Sequence, residues 1–199
     1  MKYYQNHYNI DHIQVLKNGV DLNKFQLVNA EKPNDMKNIQ SPIIGFGGKI
    51  THLFDVDLFN YLTESNPDKA FVIVGQIIDS NNYNRINKRD NFYFLGDKHY
   101  KEYPLYVNSF DICIVPYLVG NQAHGGDSIK AYEYLAAGKK TVGTMGNGLL
   151  NLHKYLYLHD SPKCFSQELQ DSNNEKDLFE SHEYSWKEKT EISLKYLIQ

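Results

Sequence analysis

The stretch PIIGFGGKITHLFDVDLFNYLTESNPDKAFVIVGQ, residues 42–76, decides the fold. It contains two continuous apolar runs that each end in glycine, with a helical pattern between them. Val56, Phe59 and Leu62 recur at the spacing of one helix face. Two fully apolar strands joined by a helix are typical of a βαβ unit, in which both strands are parallel and covered on both faces. The stretch therefore predicts an α/β protein.

The same alternation continues towards the C-terminus. Three further apolar runs predict strands: NFYFLG (91–96), DICIVPY (111–117) and KTVGTM (140–145). Helical spacing is expected in three more segments: 100–110, 128–137 and 185–199. The sequence thus predicts one doubly wound, Rossmann-like domain with a parallel sheet over residues 42–199. Residues 1–41 are polar with turn signals, and we interpret them as a lead-in segment.

The composition excludes several classes of protein. The chain has 199 residues, 41% hydrophobic and 23% charged, which is typical of a globular domain. The net charge of −3 argues against a nucleic-acid surface. No apolar run has the length of a membrane span or a signal peptide. Two isolated cysteines fit a reducing compartment. We therefore expect a cytoplasmic protein that reaches a membrane only through a partner.

The glycines at the end of the first strand are the first candidate ligand site. GFGGKI, residues 45–50, has Ile50 where the dinucleotide-binding fingerprint needs a third glycine. No P-loop, metal-binding or serine-hydrolase motif is present, so we expect no metal and no cofactor. Doubly wound sheets bind ligands beyond the carboxyl ends of their strands. Gly47, Gly48 and Lys49 therefore either contact a ligand or form an ordinary turn with a solvated lysine.

The segment GGDSIKAYEYLAAGKK, residues 125–140, is the second candidate. A helix N-terminus carries unpaired N–H groups and a partial positive charge, which favour anion binding. Gly125 and Gly126 leave the approach to this helix free of side chains. Asp127 or Ser128 can cap its first turn. The segment is therefore a candidate phosphate site.

Two charged residues lie three positions apart on this helix. Lys130 is placed to reach a phosphate, and Glu133 can accept hydrogen bonds from ribose hydroxyls. The alternative is an exposed Lys–Glu pair of little energetic value, which the apolar neighbours disfavour. His124 is either a ligand contact or a surface residue. Tyr100 and Tyr117, near strand ends, are expected to pack, with stacking on a base as the alternative.

Four segments in the right order resemble retaining glycosyltransferases with two Rossmann-like domains, the GT-B type of group 1 and family 4. The first, VLKNGVDLNKF (15–25), is similar to the interdomain signature of that family. The second and third, residues 43–75 and 91–117, are similar to the first strand–helix units of its C-terminal half. The fourth is DSIKAYEYLAAGKKTVGT (127–144), which is similar to a strongly patterned helix and strand of the same half. In the last segment Lys140 replaces the usual proline. The resemblance covers roughly residues 10–198.

This resemblance implies a C-terminal domain that binds a nucleotide-sugar donor, a UDP-, GDP- or ADP-sugar, without a metal. It implies that Gly47, Gly48 and Lys49 lie at the diphosphate, that Lys130 is the second basic residue, and that Glu133 holds the ribose. Lys49 and Lys130 are then the catalytic residues, because cations stabilise the departing nucleoside diphosphate.

The same helix carries one departure from the family. Many relatives have a second glutamate, contacting the donor sugar, at the position of Gly125. We therefore expect His124, Asp127 or backbone groups to contact the sugar. Gly126 and Ser128 complete the predicted donor-binding set.

The resemblance implies the donor half of a retaining hexosyltransferase acting on a glycan, lipid or cell-surface polysaccharide. Because the chain begins inside the interdomain signature, an acceptor-binding N-terminal domain of about 150–200 residues is expected from a partner protein. The chain is then half of a split enzyme, a shortened form or a degenerate remnant, and is not active alone. The alternatives are a non-catalytic nucleotide-sugar-binding or interaction module and half of a sugar-nucleotide epimerase.

Overall fold

A computed structural model describes residues 7–8, 15–27, 29–120, 126–146, 148–171, 173 and 175–197. Six strands form one parallel sheet with the order β3-β2-β1-β4-β5-β6. The strands are β1 Ile43–Gly47, β2 Ala70–Val74, β3 Phe92–Phe94, β4 Ile112–Val115, β5 Lys140–Thr144 and β6 Tyr157–His159. This is the strand order of the doubly wound Rossmann fold, so the predicted fold class is confirmed.

Helices cover both faces of the sheet. They are α1 Leu22–Phe25, α2 Val56–Ser65, α3 Ser80–Arg85, α4 Tyr103–Asn108, α5 Ile129–Ala136, α6 Pro162–Gln170 and α7 Trp186–Leu197. Helix α2 starts after Asp55, whose carboxylate accepts the Leu58 N–H at 2.9 Å. Its buried face contains Val56, Phe59 and Leu62, as the spacing predicts. In the described part of the chain, no helix is long and apolar enough to cross a membrane.

The four central strands are buried on both faces, which explains the continuous apolar sequences of β1, β2 and β4. One core cluster is rich in aromatic rings: Phe46 packs against Phe54, and Phe59 packs against Phe54 and Phe71. The ring centroids in these pairs are 5.1–5.8 Å apart, the range of edge-to-face contacts. The sheet is therefore a rigid platform for the residues at its strand ends.

The lead-in segment packs against the sheet domain. Phe25, Met36 and Ile39 are buried in the second core cluster. The Val20 N–H donates to the Tyr184 carbonyl at 2.8 Å, and Val20 forms an isolated parallel bridge with Ser185. Residues on the N-terminal side of position 42 thus contribute to the domain core, and the boundary at that position remains a prediction.

The strand order creates a switch point between β1 and β4. β1 pairs with β2 on one side and with β4 on the other, through Ile44 opposite Ile112 and Gly45 opposite Cys113. The connections that follow β1 and β3 therefore lead to opposite sides of β1. A crevice opens beyond the carboxyl ends of the strands at such a point.

Candidate functional site

A cavity of about 550 Å³ lies at this crevice. Eight of the nine site residues predicted from the sequence line it: Gly47, Gly48, Lys49, Gly126, Asp127, Ser128, Lys130 and Glu133. The ninth, His124, lies outside the described residues, as does Gly125. The volume falls in the range of small-molecule sites. The fold thus brings two distant sequence segments to one cavity.

The N-terminus of α5 forms one wall. Ser128 is the N-cap residue, but its side chain makes no capping hydrogen bond. Its buried Oγ has no partner among the residues that the structure describes. The first bond inside the helix is donated by Ala131 to the Ser128 carbonyl at 3.1 Å, and the preceding amides have no partner within a helix. A helix terminus and an unpartnered hydroxyl therefore lie together at the cavity.

Asp127 ties this helix to the lead-in segment. Its Oδ2 accepts the Asn18 N–H at 2.5 Å, and its carbonyl accepts the Asn18 side-chain amide at 2.8 Å. Its Oδ1 accepts the Tyr132 hydroxyl at 2.9 Å. The expectation that an Asp127 or Ser128 side chain caps the helix is therefore wrong, because the first holds Asn18 and Tyr132 and the second makes no cap bond.

Lys130 lies in a narrow slot at the cavity. Its Nζ donates to the Tyr117 hydroxyl and lies 4.7 Å from the centroid of the Tyr117 ring and 5.5 Å from that of Phe46. A Cβ added at Gly48 would lie 2.7 Å from Lys130 Cε. The absence of a side chain at Gly48 thus leaves room for the lysine.

The glycine amides after β1 are already occupied. The Gly47 N–H donates to the Tyr134 hydroxyl at 2.7 Å, and the Gly48 N–H donates to the Val74 carbonyl at 2.8 Å. A Cβ at Gly47 would lie 2.1 Å from the Tyr103 hydroxyl. Both glycines therefore permit close packing of the cavity wall, and their N–H groups are not free to bind an anion.

Lys49 and Lys98 differ in their charge partners. Lys49 is exposed at the cavity and forms no ion pair with a described residue. Lys98, which the sequence analysis did not identify, also lines the cavity, but its Nζ lies 2.6 Å from Asp35. Of these two lysines, Lys49 is therefore the one whose charge no described carboxylate neutralises.

Glu133 is 5% exposed and lines the cavity one turn after Lys130. Burial raises the pKa of its carboxyl group to about 7, although a hydrogen bond from Tyr100 and the charge of Lys130 lower it. The Tyr100 hydroxyl donates to Oε1 at 3.3 Å, and Oε2 accepts no hydrogen bond from a described residue. The alternative of an exposed Lys–Glu pair is wrong, because Glu133 is buried and Lys130 contacts Tyr117.

Two tyrosines hold the charged side chains, a role that the sequence analysis missed. Tyr117 follows β4 and contacts Lys130, and Tyr100 precedes α4 and contacts Glu133. Burial raises the pKa of Tyr100 to about 12, so its hydroxyl stays a donor at neutral pH. The sequence signal that could have indicated this role is the position of both tyrosines near strand ends, where the ligand site was expected. Among the described residues, no cluster of side chains suited to a metal ion is found.

No protein-family model matches the chain. The chain is 29% identical over 140 residues to TuaH of Bacillus subtilis strain 168, whose name assigns it a glycosyltransferase role in teichuronic acid biosynthesis. This match covers 66% of the chain and 34% of TuaH, so the chain spans about a third of the length of this curated relative.

Solved structures share the fold. Anabaena HepE, in complex with UDP and glucose, matches with a TM-score of 0.74 and 12% identity, over 94% of this chain and 56% of HepE. The C-terminal domain of LpcC, a glycosyl transferase group 1 family protein of Francisella tularensis, matches with a TM-score of 0.60 and 17% identity, over 76% of this chain and 86% of that one. The chain is thus similar in sequence to a glycosyltransferase and shares the Rossmann-like fold of these solved structures.

Proposed function

We propose that the chain is the donor-binding half of a retaining glycosyltransferase and that its cavity binds a UDP-sugar. The observation that carries this proposal is the meeting of Ser128, Lys130 and Glu133 with the Gly48 loop at the switch point. The choice of UDP is supported by HepE, which has been solved with UDP and with UDP-glucose.

In this proposal the diphosphate lies at the N-terminus of α5. The first-turn amides, which have no partner within the helix, donate to it together with the Ser128 hydroxyl, which has no partner among the described residues. The helix dipole favours its negative charge. Lys130 has three N–H donors, of which Tyr117 engages one. Together with Lys49, it stabilises the charge that develops on the nucleoside diphosphate as the sugar–phosphate bond breaks.

The ribose lies at Glu133. Its Oε2 is available to accept hydroxyl hydrogen bonds, while Tyr100 holds Oε1 in place. Hydroxyl donors favour the charged carboxylate and so offset the effect of burial on its pKa. A buried carboxylate with spare acceptor capacity is suited to a diol, whereas an exposed one would be bound by water.

Transfer also needs an acceptor, which we propose to be a glycan, lipid or cell-surface polysaccharide bound by a separate acceptor-binding half. The length of HepE, of which this chain covers 56%, supports a second half of similar size. Catalysis would then take place in the cleft between the two halves.

A nucleotide-sugar-binding module without transferase activity is the second candidate. Asp127 favours it, because both carboxylate oxygens are held by Asn18 and Tyr132 and are not free for a donor sugar. Adding an acceptor-binding half from a relative distinguishes the two, since sugar transfer occurs only if this chain supports catalysis.

Isothermal titration calorimetry with UDP, GDP and ADP tests the donor site. We expect UDP to bind and Glu133→Ala to weaken binding by roughly 10-fold or more, the loss of a hydrogen bond to a charged group. Glu64→Ala is the matched control, because Glu64 is an exposed glutamate on α2 outside the cavity and pairs with Arg89. It should bind UDP like the wild type.

Two outcomes would contradict the proposal. If none of the three nucleotides binds to the folded wild-type protein, the chain is not a donor domain. If Glu133→Ala binds UDP with unchanged affinity, the ribose does not lie at Glu133.

A further inference from the structure

Tyr117 is fixed in the structure by both its backbone and its ring. Its carbonyl accepts the Thr144 hydroxyl at 2.7 Å, and its backbone forms an antiparallel bridge with Phe54. Its ring meets Phe46 edge-on, with centroids 6.0 Å apart and planes at 80°. The position of the Tyr117 hydroxyl is therefore set by β1, β4, β5 and the loop after β1.

This fixed hydroxyl receives the flexible end of Lys130. The stem of Lys130 lies against Gly48, where an added Cβ would be 2.7 Å from Cε, and its ammonium ion lies near the rings of Tyr117 and Phe46. A free lysine side chain samples many rotamers, and fixing it costs conformational entropy. Here the Lys130 side chain is already ordered in the folded protein, so its conformational entropy is lost on folding and not on ligand binding.

We infer that Tyr117 is a positioning residue, whose hydroxyl holds the Lys130 ammonium ion in place to receive the ligand diphosphate. The inference rests on the proposed function. The ammonium ion keeps two further N–H donors for phosphate oxygens when Tyr117 takes one. Because the cation is already ordered, binding loses less side-chain freedom, which strengthens affinity without a direct contact between Tyr117 and the ligand.

Tyr117→Phe removes the hydroxyl and keeps the ring against Phe46. We expect the Kd for UDP to rise by about 3- to 10-fold, the effect of releasing one rotamer-rich side chain. The Kd for uridine, which has no diphosphate, should not change. Tyr83→Phe is the matched control, because Lys88 also lies over the Tyr83 ring, 3.6 Å from its centroid, and this pair is outside the cavity.

A double-mutant cycle with Lys130→Met separates positioning from a direct contact. If Tyr117 acts through Lys130, then Tyr117→Phe adds no further loss of UDP affinity in the Lys130→Met background. Additive losses, or a Tyr117→Phe variant with wild-type UDP affinity, would overturn the inference.

The ligand-free protein provides a readout that does not depend on nucleotide binding. Acetylation of Lys130 by acetic anhydride, followed by mass spectrometry, should be faster in Tyr117→Phe than in wild type, with Lys88 acetylated at the same rate in both. An unchanged rate at Lys130 overturns the inference. A faster rate in a protein that binds none of UDP, GDP and ADP supports the positioning contact and shows that the proposed function is wrong.

Discussion

The two ends of the sheet both carry buried charges, but they use them differently. At the carboxyl ends, Lys130 and Glu133 line the large cavity. At the amino ends, a depression of about 380 Å³ is lined by Lys69, Asp111 and Lys140. The comparison distinguishes buried charges that stabilise the fold from those that keep hydrogen-bonding capacity for a ligand.

The charges at the amino ends are satisfied by the protein itself. Lys140 Nζ forms an ion pair with Glu168, 2.6 Å from Oε1, and donates hydrogen bonds to the carbonyls of Asp171 at 2.7 Å and Asn173 at 3.0 Å. Glu168 Oε1 is held by this charge contact and accepts no hydrogen bond from a described residue. Asp111 accepts the Ile43 N–H at 2.7 Å. This end of the sheet is a closed network.

The carboxyl ends retain hydrogen-bonding capacity. Lys130 and Glu133 each contact one tyrosine, and the buried Ser128 hydroxyl has no partner within the described part of the chain. Buried polar groups in folded proteins are normally satisfied, so an unsatisfied set at a cavity needs an explanation. A ligand that supplies the missing partners is the explanation we favour.

The largest effect is expected at the closed network. Lys140→Met leaves the Glu168 carboxylate without its cation and should lower the free energy of unfolding by about 3–5 kcal/mol, measured by urea denaturation. UDP affinity of the folded variant should not change. Arg85→Met, which breaks an exposed pair with Asp57, is the control and should cost less than about 1 kcal/mol. Equal losses in the two variants would show that the buried Lys140–Glu168 pair stabilises the fold no more than an exposed ion pair does, which contradicts the role given to the amino-end charges.

A smaller, pH-dependent effect is expected at Glu133. Because its pKa in the folded state is about 7 against an ordinary 4.5, the folded protein binds a proton more tightly than the unfolded chain between these values. This carboxyl group therefore lowers stability as pH rises from about 4.5 to 7. Glu133→Gln lacks this dependence and should be more stable than wild type at pH 8 by up to about 3 kcal/mol, while binding UDP less tightly.

Urea denaturation of both proteins at pH 5, 6, 7 and 8 checks this expectation. The free energies of unfolding of wild type and Glu133→Gln should diverge as pH rises. If the two free energies of unfolding change in parallel with pH, the charged form of Glu133 does not destabilise the fold. Glu133 would then resemble the paired charges at the amino ends of the strands.

Much of the fold could be predicted from the sequence because β1, β2 and β4 are apolar throughout. The sixth strand could not be predicted, although the equally short and half-buried edge strand β3 was. Phe92–Phe94 is entirely aromatic, whereas Tyr157–His159 has one aliphatic residue and gives no comparable apolar signal.

The cavity residues could be predicted for a related reason. Glycines after a strand and a polar helix start are local signals, and they identified both Gly48 and Lys130. The hydrogen-bond partners of the cavity residues could not be identified from the sequence. Tyr117 lies 13 positions from its partner Lys130, and Asn18 lies 109 positions from its partner Asp127. Such contacts depend on how strands and helices meet.

The most direct test of the account is a crystal structure of the protein with UDP. The account predicts that the diphosphate lies at the start of α5, within hydrogen-bond distance of Ser128 Oγ and Lys130 Nζ, and that the ribose hydroxyls contact Glu133. UDP bound at the amino-end depression beside Lys140, or a ribose turned away from Glu133, would contradict it.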